Sequence, residues 1–203
     1  MEDSFKTIRN EFSTEIKIKR SRFIGTALHC DSRESAERLL ESFSKKYYDA
    51  NHNCFAYRVR SGAGEEIFRY SDAGEPSGTA GRPIYDAVVS AELQNILLVV
   101  TRYFGGIKLG TGGLARAYRD CARAVLDICR PVEVLIVDRY QLVFPLNFTN
   151  IVLRILNGDG IKIIENNYSD KGEIIFEVRL SKSESIRESL IAATNAKIEL
   201  SRL

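Results

Sequence analysis

Two glycine-rich segments, YSDAGEPSGTAGRP at residues 70–83 and TRYFGGIKLGTGGLARAY at residues 101–118, dominate the centre of this chain. Together they hold eight of its 14 glycines. Glycine loses more backbone entropy on ordering than any other residue, so this density favours backbone N–H groups that closely approach a ligand or another backbone segment. At the end of the first segment, Pro83 suits the first turn of a helix that reaches Glu92, and residues 95–102, which run into the second segment, have the pattern of a buried strand.

The second segment runs into a helix predicted at residues 113–129, on which charged and apolar residues occupy different faces. Its charges recur at spacings of three and four, so opposite charges pair on a solvated face. The predicted buried arc consists of Leu114, Tyr118, Cys121, Ala122, Val125, Ile128 and Cys129.

Strands and one helix are predicted before the glycine-rich segments. Alternating or β-rich patterns indicate strands at residues 15–19, 23–28, 53–59 and 65–70, the last two joined by a turn at residues 61–64. A helix is predicted at residues 32–47, where apolar residues recur at helical spacing and Asp31 with Glu34 resembles a capping box.

The pattern restarts after Pro131. Strands are predicted at residues 134–144, 161–166, 173–180 and 197–200, and helices at residues 147–156 and 183–194. The order β-α-β-β-α-β matches the ferredoxin-like unit. We therefore predict an α+β fold of two domains, residues 1–131 and residues 132–203.

Composition limits the classes of function. The 203 residues are 44% hydrophobic and carry a net charge of +2, so a buried core is expected and no global field drives binding to nucleic acid or membrane. Any basic site is therefore local. No apolar run approaches the ~20 residues of a membrane-spanning helix, the four cysteines form no CxxC pair, and no signal peptide is indicated. The chain is predicted to be cytoplasmic.

A local anion site is predicted at the second glycine-rich segment. Between Glu92 and Asp120 there is no acidic residue, while several basic residues fall there. Glycine N–H groups and the N-terminus of the following helix favour an oxyanion such as an RNA phosphate. Close packing of the loops is the open alternative. The predicted binding residues are Arg82, Arg102, Gly105, Gly106, Lys108, Gly110, Thr111, Gly112, Gly113 and Arg116.

Two nucleotide-binding motifs fit this segment only in part. Gly110, Gly112 and Ala115 match G-x-G-x-x-A, but residues 103–109 separate them from the predicted strand, where a dinucleotide fold has its first glycine at the strand end. The P-loop spacing also occurs, yet Thr111 stands where lysine belongs. Neither motif predicts a nucleotide cofactor.

Other polar residues have both a chemical and a structural interpretation. Asp72 and Glu75 could form an acid/base or magnesium site, although both are common turn residues. His52 and Cys54 share one strand face and could act as a catalytic or metal-binding pair, or simply pack there.

A basic run near the N-terminus has two interpretations as well. Its residues are Lys17, Lys19, Arg20 and Arg22. With Phe23 nearby it could grip nucleic acid, or it could be a solvated strand edge on which lysine discourages aggregation.

Four motifs of this chain are familiar from one family. They are KRSRFIG at residues 19–25, NHNCFAYR at 51–58, SDAGEPSGTAGRPI at 71–84 and TRYFGGIKLGTGGLARAY at 101–118. They resemble the bacterial YigZ branch of the IMPACT family, and the resemblance covers essentially the whole chain. It implies an N-terminal IMPACT domain similar to domain IV of elongation factor G and a ferredoxin-like C-terminal domain similar to that factor's domain V. One departure is Ala73, where relatives commonly have a second aspartate, which weakens a metal or acid/base role for an adjacent pair.

The family resemblance implies function only through similarity of fold. We expect a cytoplasmic, non-enzymatic protein that binds structured RNA or the ribosome and modulates translation, with no cofactor and no metal. The eukaryotic relative's regulation of a starvation-responsive kinase through an added domain is not expected here. The alternatives are an enzyme acting on a phosphorylated small molecule, with Asp72 or Glu75 as acid/base or metal group, and a protein-interaction module.

Overall fold

A computed structural model describes residues 3–61 and 65–203. Contacts divide them into two compact units, one of residues 6–133 and one of residues 3–5 with 134–203. The domain boundary expected from sequence lies two residues before the second segment of the smaller unit. No helix within the described residues is long and apolar enough to cross a bilayer.

The larger unit contains a five-stranded sheet in the order β2-β3-β6-β4-β5 with three helices. Its elements in chain order are β2 (Phe12–Ile18), β3 (Ser21–His29), α1 (Arg33–Lys46), β4 (His52–Ser61), β5 (Glu65–Ser71), α2 (Gly81–Ser90), β6 (Ile96–Tyr103) and α3 (Gly110–Ile128). All its strand pairs are antiparallel. A separate two-stranded sheet consists of β1 (Ser4–Thr7) and β7 (Val132–Leu135).

The central strand β6 is buried on both faces because helices cover the sheet on both sides. Leu98 and Val100 belong to the core cluster formed with α2 and α3. Leu97 and Val99, which alternate with them, belong to the core cluster formed with α1. A strand buried on both faces reads as a continuous apolar run, which explains the sequence pattern before Arg102.

The smaller unit contains a four-stranded antiparallel sheet in the order β11-β8-β10-β9. Its elements are β8 (Val137–Phe144), α4 (Thr149–Leu156), β9 (Ile161–Tyr168), β10 (Gly172–Arg179), α5 (Ser183–Ala193) and β11 (Glu199–Arg202), with 3₁₀ turns at Leu146–Phe148 and Leu180–Lys182. The core joins α4 and α5 to the sheet through residues such as Val152, Leu190 and Phe176. The element order is the predicted β-α-β-β-α-β.

Several local predictions were wrong. The capping box of helix α1 is formed by Ser32 and Ser35, and not by Asp31 and Glu34. The Ser32 hydroxyl accepts a hydrogen bond from the Ser35 N–H, and the Ser35 hydroxyl accepts one from the Ser32 N–H. The predicted strand at residues 134–144 is two strands that break at Ile136. Ile128, predicted to be buried, is 48% exposed in the last turn of α3. Residues 62–64 of the predicted turn lie outside the described residues.

Candidate functional site

A cleft of about 440 Å³ opens in the larger unit at the start of α3. It is formed by the loop between β5 and α2, the beginning of β4, the end of β6 and the residues that follow it. The lining residues are Asn51, His52, Glu75, Pro76, Arg102, Phe104, Lys108, Leu109, Gly110, Thr111 and Leu114.

A buried ionic network lies at one wall of this cleft. Nη1 of Arg102 donates to Oε1 of Glu75 over 2.5 Å, and the Tyr118 hydroxyl donates to the same oxygen over 2.8 Å. The side chains of Arg102 and Glu75 are only 6% and 3% exposed. Burial, followed by the neighbouring Cys54 and Glu75, raises the pKa of Tyr118, so its hydroxyl stays a donor. Charges removed from water are kept only when they are paired, and this pairing holds the loop before α2 against the end of β6.

Arg102 is also held by aromatic rings. Its guanidinium carbon lies 5.4 Å from the ring centroid of Phe23 and 5.3 Å from that of Phe104. Such placement over ring faces is a cation–π contact. Its Nε is buried and has no hydrogen-bond partner among the described residues. The fold therefore leaves the Nε donor of a cleft-lining guanidinium unsatisfied.

His52 lies beside this network. Its Nδ1 is 2.9 Å from the carbonyl oxygen of Ala73, which can only accept, so this nitrogen carries the proton. Its Nε2 is 3.8 Å from Oε1 of Glu75, beyond hydrogen-bond range. In the neutral imidazole, Nε2 is therefore an acceptor at the cleft wall.

Asp72 organises the loop rather than the cleft. Its Oδ1 accepts from the N–H groups of Ala80 and Gly81, and its Oδ2 accepts from that of Gly78, each over 2.9 Å. Burial acts to raise the pKa of Asp72, but these backbone donors outweigh it and hold the pKa below its usual value. An acidic group engaged by three donors, two of them at the start of α2, is a structural clasp.

Cys54 is a fully buried thiol. Burial raises its pKa to about 12, and its Sγ donates to the carbonyl oxygen of Asp72 over 2.9 Å. The thiolate is the reactive and metal-binding form, so this environment opposes both roles. No group of three or more metal-binding side chains lies together within residues 3–61 and 65–203.

The glycines of the second segment fall into two kinds. A Cβ on Gly105 would lie 2.1 Å from the backbone carbon and oxygen of Arg20, so this glycine permits close packing on the β2–β3 hairpin. The Gly105 N–H also donates to the Ser21 hydroxyl over 3.1 Å. A Cβ on Gly112, by contrast, would meet nothing within 4 Å. The space beside the first turn of α3 is therefore open.

The hairpin beneath Gly105 presents two cations. Lys19 and Arg20 form its two-residue turn, and their φ angles of 43° and 69° place both in the left-handed region. Such turns normally use Asn-Gly, because glycine adopts this conformation without strain. The basic residues are held in an unfavourable backbone conformation next to the glycine loop.

The structure brings together only part of the predicted binding set. Arg102, Lys108, Gly110 and Thr111 line the cleft. The other predicted residues, Arg82, Gly105, Gly106, Gly112, Gly113 and Arg116, do not line it. Arg82 lies in the first turn of α2, where its Nε donates to Asp86 over 2.7 Å.

Sequence reasoning missed Asn51 and Phe104 as cleft residues. The Asn51 Oδ1 accepts from the Phe104 N–H over 2.7 Å, 53 positions away. Phe104 is 45% exposed although aromatic, and it directly follows β6. An aromatic residue between a buried strand and a glycine pair was the signal that could have identified it.

Comparison with known proteins places the sequence among a set of relatives. Residues 19–126 match the model of the Impact N-terminal domain. The IMPACT family member YvyE of Bacillus subtilis is 31% identical over 197 residues, covering 97% of this chain and 90% of YvyE. The IMPACT family member YigZ of Escherichia coli is 42% identical over 102 residues, covering 50% of each chain. The Protein IMPACT homolog of Schizosaccharomyces pombe is 31% identical over 56% of this chain and 41% of its own length.

Solved structures share the fold. The crystal structure of a hypothetical protein, 28% identical, superposes with a TM-score of 0.71 and covers 100% of this chain and 98% of its own. A Thermus thermophilus structure, 11% identical, superposes with a TM-score of 0.53 and covers 99% of this chain and 28% of its own, which concerns the fold alone. The predicted α+β fold of two domains is confirmed.

Proposed function

This chain belongs to the IMPACT family, and from that premise we propose that it is a non-enzymatic cytoplasmic protein that binds RNA, including the RNA of the ribosome, and thereby modulates translation. One observation carries the proposal. An exposed lysine, an exposed aromatic ring and the open start of a long helix lie around a single cleft. A basic group with an aromatic platform is the usual equipment for gripping nucleic acid without reading its sequence.

The phosphate contacts are assigned to the start of α3. Lys108 is exposed and forms no ion pair within residues 3–61 and 65–203. The first turn of α3 contains no acidic residue, and backbone N–H groups at a helix start have no intrahelical partner. Thr111 lines the same cleft and adds a hydroxyl. Together they offer positive potential and donors to a phosphate oxygen.

Cations of the hairpin extend this surface. Lys19 and Arg20 are exposed at the turn that packs against Gly105. Arg116, also exposed, follows further along α3. A phosphate backbone that extends beyond the cleft could contact these charges as well as Lys108, in keeping with a local basic surface on a chain of net charge +2.

Arg102 takes a supporting part in this proposal. Because its guanidinium is buried and paired with Glu75, it holds the cleft wall and Phe104 in place rather than neutralising a phosphate from solution. The phosphate contacts proposed here therefore leave out Arg102, which the sequence pattern had predicted to be one of them.

Co-sedimentation with ribosomes, and binding of ribosomal RNA fragments, at low and moderate salt tests the proposal. We expect salt-sensitive binding by the wild-type protein, weakened in Lys108→Ala and Arg116→Ala with a smaller salt slope. Lys45→Ala is the matched control, because Lys45 is also an exposed lysine and lies in the last turn of α1. Binding that is absent in the wild-type protein, or insensitive to salt, would contradict the proposal. Capture of a partner that survives nuclease treatment would favour a protein-interaction module instead.

The position of His52 favours one alternative, an enzyme acting on a phosphorylated small molecule. His52 lines the cleft together with Lys108, and its Nε2 can accept a hydrogen bond, so it could act as an acid/base group there. This histidine replaces Asp72 and Glu75, since the Asp72 carboxylate is engaged by three donors and Glu75 is paired. Turnover of phosphorylated metabolites that is lost in His52→Gln would support the enzyme. If none of these phosphorylated metabolites raised the unfolding temperature of the wild-type protein, that result would count against the enzyme.

A further inference from the structure

The cleft has the size and lining of a pocket for one nucleotide, and we propose that it holds a single unpaired nucleotide of the bound RNA, with its phosphate at the start of α3 and its base against Phe104. The inference rests on the proposed function, because it names the part of the RNA that the same site takes. It excludes a binding mode in which the protein contacts only the outside of a duplex.

The shape of the cleft suits an unpaired nucleotide better than a duplex. A volume of about 440 Å³ lies within the range of small-ligand pockets, and the cleft is concave. A double helix is convex and keeps the faces of its bases stacked inside, so it offers a concave surface mainly sugar, phosphate and base edges, and no base face. An unpaired nucleotide can turn its base into the cleft, which is how proteins usually recognise single-stranded RNA.

Arg102 has an unsatisfied hydrogen-bond donor that a bound nucleotide could pair. This residue is 5% exposed, lines the cleft beside Gly110 and Thr111, and has a buried Nε without a partner. Buried donors are almost always satisfied, and of the arginines in the described residues whose Nε is buried and unpaired, namely Arg58, Arg60, Arg102 and Arg179, only Arg102 lines this cleft, so it is the one that an acceptor atom entering the cleft could satisfy. Sugar oxygens of a nucleotide whose phosphate lies at the start of α3 are acceptors of that kind.

Phe104 offers an exposed ring on which a base can stack. The Arg102 guanidinium occupies one side of the ring at 5.3 Å from the centroid, yet 45% of the residue remains exposed. Its backbone N–H is held by Asn51 and its ring by the Arg102 guanidinium, so little ordering of this side chain is needed when a ligand arrives. Exposed aromatic rings beside cations are the stacking platforms of proteins that bind single strands.

Polar groups for the base edge are present at the same wall. Asn51 uses its Oδ1 for the Phe104 N–H, and within the described residues its Nδ2 has no partner. His52 presents Nε2 as an acceptor because its Nδ1 is bound to Ala73. A donor and an acceptor are thus available to the edge of a stacked base.

Nuclear magnetic resonance titrations with adenosine monophosphate and with ribose 5-phosphate separate the base from the phosphate. We expect both compounds to shift the amide signals of Lys108, Thr111 and Gly112, and only the nucleotide to shift the ring signals of Phe104. Equal shifts of Phe104 by both compounds, or none by the nucleotide, would contradict a base at the ring.

Binding of a short single-stranded RNA and of a blunt duplex containing the same strand tests the inference in RNA itself. Phe104→Ala should weaken the single strand at least about fivefold and the duplex less than twofold. Phe104→Tyr should restore binding, whereas Phe104→Leu, which keeps an apolar side chain but no ring, should not. Circular dichroism confirms that each variant is folded.

The outcomes separate the two proposals. If Lys108→Ala weakens both RNAs while Phe104→Ala changes both equally or neither, the protein binds RNA by its phosphates and the nucleotide pocket is wrong. If the wild-type protein binds neither RNA at low salt, the proposed function and this inference fall together.

Discussion

Arg102 and Glu75, 27 positions apart, form an ion pair of 2.5 Å whose two side chains are almost completely buried. Removal of one partner leaves a buried charge alone, which typically costs about 3–5 kcal/mol. We therefore expect Arg102→Ala and Glu75→Ala each to lower the free energy of unfolding by roughly that amount in urea denaturation. Arg82→Ala, which breaks the exposed pair with Asp86, should leave it nearly unchanged.

Loss of the exposed Lys108 should affect RNA binding and not stability, in contrast to loss of the buried Arg102. Lys108→Ala should weaken RNA binding and leave the unfolding midpoint within a degree or so, since exposed substitutions rarely alter stability. A drop in stability of Lys108→Ala as large as that of Arg102→Ala would show that the loop, and not a ligand, depends on this lysine.

Acid should remove the contribution of Asp72. Because the folded-state pKa of Asp72 lies below its ordinary value, its stabilisation is present at neutral pH and is lost as pH falls below about 4. Asp72→Asn should therefore reduce the free energy of unfolding by roughly 1–3 kcal/mol at neutral pH, and the difference from wild type should shrink towards pH 3. A difference that stays constant over this range would mean that the charge of Asp72 is irrelevant.

Glycine substitutions distinguish packing from ligand approach. Gly105→Ala places a Cβ 2.1 Å from the Arg20 backbone, so we expect severe destabilisation or failure to fold. Gly112→Ala meets no atom and lies in a helix, so its stability should be equal or greater. Thermal unfolding checks both. Weaker RNA binding by the stable Gly112→Ala would locate the phosphate beside this residue.

The hairpin turn offers a test in which stability and function move in opposite directions. Replacement of Lys19 by Asn and Arg20 by Gly supplies the residues that the left-handed conformation favours. The double variant should unfold at a higher temperature and bind RNA more weakly, because strain and two cations are removed together. A variant that is more stable and binds equally well would exclude the turn from the interface.

The fold followed from sequence where patterns are local. The apolar run of β6 and the two-faced pattern of α3 predicted these elements to within a few residues. The predicted start of α3 at Gly113 was three residues late, since glycines normally discourage helix and here occupy its first turn. The four-residue strand β1 escaped prediction, because so short a segment carries little periodicity.

The site followed from sequence only in part. The proximity of Lys108 to the start of α3 is local and was predicted. The pairing of Arg102 with Glu75 depends on where β6 and the loop before α2 meet in space, and no spacing rule encodes that meeting. Sequence therefore suggested a free cation at Arg102, whereas the structure shows a buried one.

The contact between Gly105 and the Arg20 backbone has a consequence for mutational history. Residue 105 tolerates a side chain only after the hairpin, 84 positions earlier at Ser21, has moved away. The order of substitutions in the two segments therefore matters. A change in the turn that moves the Arg20 backbone must come before any replacement of Gly105. A chain that keeps this two-residue turn is therefore expected to keep glycine at position 105.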